Sequence, residues 1–242
     1  MIGYGVTLAL ILVLYPMGIW AMGRIKRERL FTLFFPFLTL ALYICCVVKI
    51  GINAGVNDWN FHNALPTANV SPFTYCVCAV SCLFPTCIRK YLQGGVAMLS
   101  FGLLCSGMIN CVFNIGRAYA FHWEMGLDSL LHAAVSWYGV YLVRSGQTQL
   151  TKKTCLISGG MVLGVAFCMM ILNVILHTSF FGLSIYGEHN IYNIVVCENG
   201  YLSAIIYFIG LSAVLALGVL FQKLVSGKNG KRLQQGENSN GN

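Results

Sequence analysis

Charge is what this sequence has least of. Only 9% of its residues are charged and 57% are hydrophobic, whereas a soluble domain carries roughly 25% charged residues. A chain of this composition has too little polar surface to cover itself in water. Acids are scarcer still, seven against fifteen bases. Sustained alternation of apolar and polar residues is missing, which argues against a transmembrane barrel. There is no internal repeat of the roughly 20–50-residue kind, and no segment reads as a separate soluble domain. No CxxC…CxxC or Cys/His spacing occurs, and the CVC at Cys76–Cys78 puts its two thiols on different helix faces. Neither a metal nor a cofactor is expected.

What the chain does have is apolar length. Runs close to the roughly 20 residues of one helical crossing occur at Tyr4–Gly23, Leu30–Ile52, Val70–Ile88, Gly94–Gly116, Leu127–Val143, Cys155–His177 and Tyr201–Phe221. The expected fold class is all-α, a polytopic membrane bundle of about seven spans, the fifth being the shortest. Residues 1–225 form that domain. Residues 226–242, polar and without apolar periodicity, are expected to be a disordered cytoplasmic tail.

Basic residues set the orientation. None precedes the first span, and RIKRER follows it directly. This reverses the charge order of a secretory signal, so the first helix is expected to be retained with its N-terminus outside. On that topology all of the fifteen Lys and Arg fall on the cytoplasmic side except Lys49 and Arg117, the asymmetry that the positive-inside rule demands. The net charge of +8 therefore reports contact with membrane lipids, not nucleic acid. Ten of the eleven cysteines fall inside predicted helices as small apolar groups, and Cys197 alone lies in an outer loop. Pro16 and Pro36 interrupt the first two spans, and Gly160 with Gly164 forms a GxxxG on the sixth, read as ordinary helix packing.

Polar residues inside the spans are costly, so their placement is informative. Asn110 with Asn114, Asp128 with His132, and Asn173 with His177 are each spaced i, i+4 on successive spans, which puts each pair on one helix face. Asn110, His132 and Asn173 lie on the order of 6–10 Å below the outer helix ends. They form a common layer facing the loop FHNALPTANVSPF, residues 61 to 73. Within that loop Ser71 is read as the cap of the third helix with Pro72 in its first turn; Asn69 is the alternative cap. His62, Asn63, Asn69, Asn110, Asn114, Asn173 and His177 are the expected wall of an outward-facing polar pocket. His132 is its reactive group, because an intramembrane histidine normally faces the bundle interior or a water-filled cavity. Asp128, one turn away, is placed to fix the tautomer of that ring and raise its basicity. The structural alternatives are plain: the asparagines can join helices, and Asp128 can cap the fifth.

A seven-span bundle with Leu65–Pro66 leading into the third helix, His132 near the outer end of the fifth and Asn173 ahead of an aromatic-rich outer segment resembles the YwaF family of bacterial integral membrane proteins. That family is similar to animal seven-span phospholipid acyltransferases that use a cysteine. It is more distantly similar to lipid hydrolases that pair a threonine nucleophile with a histidine. In the family Leu-Pro-Leu-His is followed shortly by Cys; here the run is LPTANVSPF, with Thr67 as the hydroxyl beside Leu-Pro. The resemblance implies the cytoplasmic membrane of a bacterium. It also implies an acyltransferase or ester hydrolase in which Thr67 attacks a carbonyl, His132 takes its proton, and Asp128 orients the ring. Asn110 or Asn69 would then polarise the oxyanion. A non-catalytic receptor-like bundle that binds a small ligand in the same pocket is the alternative, and a transporter a weaker one.

Overall fold

The structure, a computed structural model, describes residues 13–22, 24–25, 29–55, 65–66, 69–118, 123–178, 180–183 and 200–226, of which 29–30, 54, 110–118, 123–126, 182 and 200 are described as backbone alone. Every regular element among them is helical. In chain order these are α1 (Val13–Met22), α2 (Arg29–Ala54), α3 (Val70–Val80), α4 (Thr86–Ala118), α5 (Trp123–Arg144), α6 (Lys152–Leu176) and α7 (Gly200–Ser226). Short 3₁₀ turns extend α3 over Ser81–Leu83 and follow α6 at Phe180–Gly182. The tail beyond Ser226 lies outside the described residues.

Four stretches are long and apolar enough to cross a membrane: Phe31–Asn53, Thr86–Ile109, Lys152–Leu176 and Tyr201–Ser226. Their outward faces carry exposed Phe34, Ile44, Leu156, Ile175, Ile209 and Leu224. In water such faces would aggregate, but against acyl chains they are solvated. The least apolar of the four, on α4, is also the most buried, 56% against 28% or less. It packs most extensively against α5, which buries Leu131, His132, Ala133, Val135, Ser136, Tyr138, Val140, Tyr141 and Leu142. A helix enclosed by other helices need not present hydrocarbon on every face, which is why the fifth span has the weakest apolar signal of the predicted seven.

Helices successive in the chain from α4 to α6 alternate in direction. Phe31 meets Tyr141 and Phe35 meets Tyr138, with ring centroids 4.7 and 5.7 Å apart, so α2 runs antiparallel to α5. Gly139 of α5 sits on Ala97 and Ser100 of α4, and Gly107 of α4 sits on His132, again antiparallel. Ser158 of α6 donates to the Tyr91 carbonyl at 2.7 Å, and Val162 faces Gly95, so α4 and α6 run parallel. Gln222 of α7 donates to the Ala97 carbonyl at 3.1 Å and to Ser100 Oγ at 2.8 Å. The guanidinium of Arg144, at the end of α5, donates to the carbonyl of Val225 and so satisfies an orphan acceptor at the end of α7.

Pro36 explains a junction near the opposite end of α2. Proline has no N–H, so the carbonyl four residues earlier, that of Thr32, loses its helical donor. Tyr138 Oη donates to that carbonyl at 3.0 Å and Cys82 Sγ at 3.6 Å. Thr32 Oγ1 in turn lies 3.1 Å from Tyr141 Oη and accepts from Gln147. The carbonyl left without its helical donor thus ties α2 to α3 and α5, and the Thr32 hydroxyl ties it to the turn after α5.

Three expectations are corrected here. The third span does not continue to Ile88: Phe84 is extended (φ −83°, ψ 152°) ahead of Pro85, as the ring of a following proline requires. Eleven α-helical residues and a three-residue 3₁₀ turn rise only about 22 Å, less than the roughly 30 Å hydrocarbon core. Asn69, in extended backbone (φ −142°, ψ 156°), takes the N-cap position of α3, so Ser71 lies inside the helix. Among the described residues the GxxxG of Gly160 and Gly164 packs on nothing; a methyl added at either meets none of them. The close approaches are made elsewhere, most tightly where Gly218 rests on the carbonyl of Met98.

Candidate functional site

The polar layer expected near one end of the bundle centres on His132, which is 3% exposed. Its Nδ1 is 2.8 Å from the backbone carbonyl of Asp128, one turn earlier, and 2.7 Å from Tyr75 Oη on α3. The Asp128 carboxylate is 3.4 Å from the same nitrogen. A carbonyl has no hydrogen to give, so Nδ1 is the donor in the bond to Asp128 O. Three oxygens therefore surround one N–H, and the neutral ring carries its lone pair on Nε2. Asp128 lies in the second turn of α5 and so is not the N-cap of that helix.

Tyrosines build the walls. Tyr75 packs edge-on against His132 and against Tyr43 of α2, with centroids 5.7 and 5.5 Å away. Tyr15 of α1 donates to the Ser129 carbonyl at 3.0 Å, and Trp137 Nε1 donates to the Tyr15 carbonyl at 3.2 Å. Gly107 lets α4 approach this corner, because a methyl there would meet Tyr15 Oη at 2.6 Å and His132 Cβ at 2.8 Å. In the sequence Tyr15, Tyr43 and Tyr75 do not stand out from the apolar residues of their spans. The signal that distinguishes them is the phenol: a buried hydroxyl inside a membrane span needs a partner.

The other expected wall residues are placed unequally. Asn173 is fully buried. Its Nδ2 donates to the carbonyls of Phe180 (2.9 Å) and Leu183 (2.6 Å), and its Oδ1 accepts from Thr178 Oγ1 (3.0 Å) and Phe180 N (2.6 Å). Both amide hydrogens and both lone pairs are engaged in holding the reversal after α6. His177 is the left-handed C-cap of that helix (φ 53°) and is exposed, so it leaves the helical face it was expected to share with Asn173. Asn69 lies one turn before Phe73, whose N–H donates to the Asn69 carbonyl at 3.3 Å. Asn110 and Asn114 lie on the last turns of α4, where the backbone alone is described. Thr67, His62 and Asn63 lie outside the described residues. Among the described residues no three His, Cys, Asp or Glu side chains come together as a metal site requires.

This arrangement can hold an imidazole in one orientation and one tautomer with a carboxylate beside it. No protein-family model, curated protein or solved structure matches this chain.

Proposed function

We propose that this is a seven-helix protein of a bacterial cytoplasmic membrane, N-terminus outside, that binds a small polar ligand through His132. The reading rests on one observation: Nδ1 of a buried histidine is held by the Asp128 carbonyl and the Tyr75 hydroxyl, leaving Nε2 as the acceptor for a ligand N–H or O–H. Burying a polar ring in a bundle interior, with the 43% exposed carboxylate of Asp128 beside it, is costly, and function is the ordinary reason for it. The alternating helix directions and the basic bias of the sequence support the topology. A second reading, acyl transfer or ester hydrolysis on a lipid with Thr67 as nucleophile, in the manner of the lipid hydrolases to which the resembled YwaF family is distantly similar, draws support from the carboxylate 3.4 Å from Nδ1. Such a pair makes Nε2 a better base.

The experiment compares wild type with His132→Gln, each checked for an unchanged melting profile. Small polar molecules retained through detergent purification are measured by mass spectrometry, alongside the membrane lipids of the expressing cells. A compound enriched on wild type by roughly tenfold, the factor that a lost hydrogen bond of about 1.4 kcal/mol implies, supports binding. A changed lipid profile with no retained compound transfers the assignment to the acyl reading. Identical extracts and identical lipids refute both.

A further inference from the structure

Away from His132, the faces of α3, α4 and α6, with Leu211 of α7, leave a half-open apolar cleft with a cavity volume of about 80 Å³, less than the roughly 300–1,000 Å³ of an enclosed small-molecule site, so that it can seat only a narrow chain. Its walls include Val77, Tyr91, Leu99, Val162 and Val165, with Phe181 among the residues that line it. They are almost wholly hydrocarbon, and the hydroxyls of Thr74 and Ser158 are engaged by backbone carbonyls. Thr74 Oγ1 donates to the Val70 carbonyl at 2.6 Å and Ser158 Oγ to that of Tyr91 at 2.7 Å. Such walls favour a hydrocarbon over a polar ligand, and apolar cavities do not retain water.

The two ends of the cleft differ. Phe181 is 3% exposed, packs edge-on to Phe73 with centroids 5.3 Å apart, and sits at φ 57°. That conformation is unfavourable for a bulky residue, and the four hydrogen bonds of Asn173 hold the segment around it in place. The other end, at Tyr91 and Ser158, is basic. Lys90 Nζ stands 4.9 Å over the ring of Tyr91. Lys152 and Lys153 open α6 within two turns of Ser158 and are exposed. Asp128, the one carboxylate whose side chain is described, is on α5 beside His132. From Tyr91 to Leu99 the cleft follows α4 for about 12 Å, close to the roughly 15 Å of one leaflet's hydrocarbon.

We propose that this cleft seats one acyl chain of an anionic glycerophospholipid, with the phosphate against Lys90, Lys152 and Lys153 and the chain running toward Phe181. The apolar walls select a hydrocarbon, and the lysines select the sign of the headgroup. This site is separate from that of His132, and its outcome does not depend on the ligand there.

The test uses the full chain in detergent with phosphatidylglycerol, phosphatidylcholine or inorganic phosphate added, read by native mass spectrometry. Wild type is expected to retain phosphatidylglycerol roughly tenfold or more over phosphatidylcholine, since each lysine near a lipid surface is worth about 1 kcal/mol. The Lys90→Gln, Lys152→Gln, Lys153→Gln triple variant loses that preference. Val165→Phe, which fills the cleft, lowers retention of both lipids. Photoactivatable phosphatidylglycerol with the reactive group on its acyl chain is expected to label residues 91–99 or 158–165 of unmodified protein, so the proposal remains testable even if a variant fails to fold. Equal retention of the two lipids, preference surviving in the triple variant, or labelling confined to other helices overturns it. Protection by inorganic phosphate equal to that by phosphatidylglycerol also overturns it, by showing a free-anion site.

Discussion

Tyr138→Phe is expected to cost more than an ordinary bond between membrane helices, and Pro36 is the reason. Hydrogen bonds between helices in bilayers average only about 0.6 kcal/mol, because the separated helices find other partners. The Thr32 carbonyl has no such alternative, since the residue that would donate to it within α2 is a proline. Removing the Tyr138 hydroxyl, 3.0 Å away, leaves it with the Cys82 thiol at 3.6 Å, a weak donor. Packing changes little, because the ring stays stacked on Phe35. The expected loss is about 1–3 kcal/mol, the penalty of an unmade buried bond. In a Pro36→Ala background the restored N–H at position 36 satisfies Thr32 O, so the same substitution should cost only about 0.5–1 kcal/mol. Unfolding by sodium dodecyl sulphate in mixed micelles, followed by tryptophan fluorescence, gives all four free energies of the cycle. Any strain relieved by Pro36→Ala itself cancels in the coupling term. A Tyr138→Phe cost below about 0.6 kcal/mol, or additivity within about 0.5 kcal/mol, would refute the argument.

Other outcomes follow from the same geometry. Tyr75→Phe should destabilise by about 1 kcal/mol yet leave Nδ1 of His132 protonated, because the Asp128 carbonyl still requires a donor; a switch to the Nε2–H tautomer in ¹⁵N spectra contradicts this. Asn173→Asp keeps the shape but donates nothing to Phe180 and Leu183, so proteolysis after Leu176 should accelerate as much as in Asn173→Ala, and wild-type rates would disprove the role. Gly218→Ala drives a methyl onto the Met98 carbonyl and should cost about 1–3 kcal/mol. Gly164→Ala meets none of the described residues and should be neutral or stabilising by up to about 1 kcal/mol; equal melting shifts for the two would show the helix contact to be misplaced.

Much of the architecture is legible in the residues because hydrophobicity is a local property. An apolar run demands hydrocarbon wherever it lies, so composition and run length already give an all-helical membrane chain. The closeness of Asp128 to His132 is equally local, since a separation of four residues places them on one helix face. The end of the third helix was also readable: Pro85 forbids helical backbone at Phe84, although continuous hydrophobicity hides the break.

What neighbours do for one another is not local. Tyr75 reaches His132 across 57 residues and Tyr138 reaches Thr32 across 106. No periodicity within α3 or α5 specifies those meetings. Asn173 has the same amide whether it faces a ligand or its own chain; only the reversal after Leu176 brings four backbone and hydroxyl groups to it. The two glycines of α6 suit a close helix contact by type, yet the contact is made at Gly218 because α7 runs against Met98. The sequence by itself determined the solvent, the helices and the chemical groups available. Tertiary packing alone decided which groups meet, because hydrogen bonds and close contacts depend on ångström distances between helices that are remote along the chain.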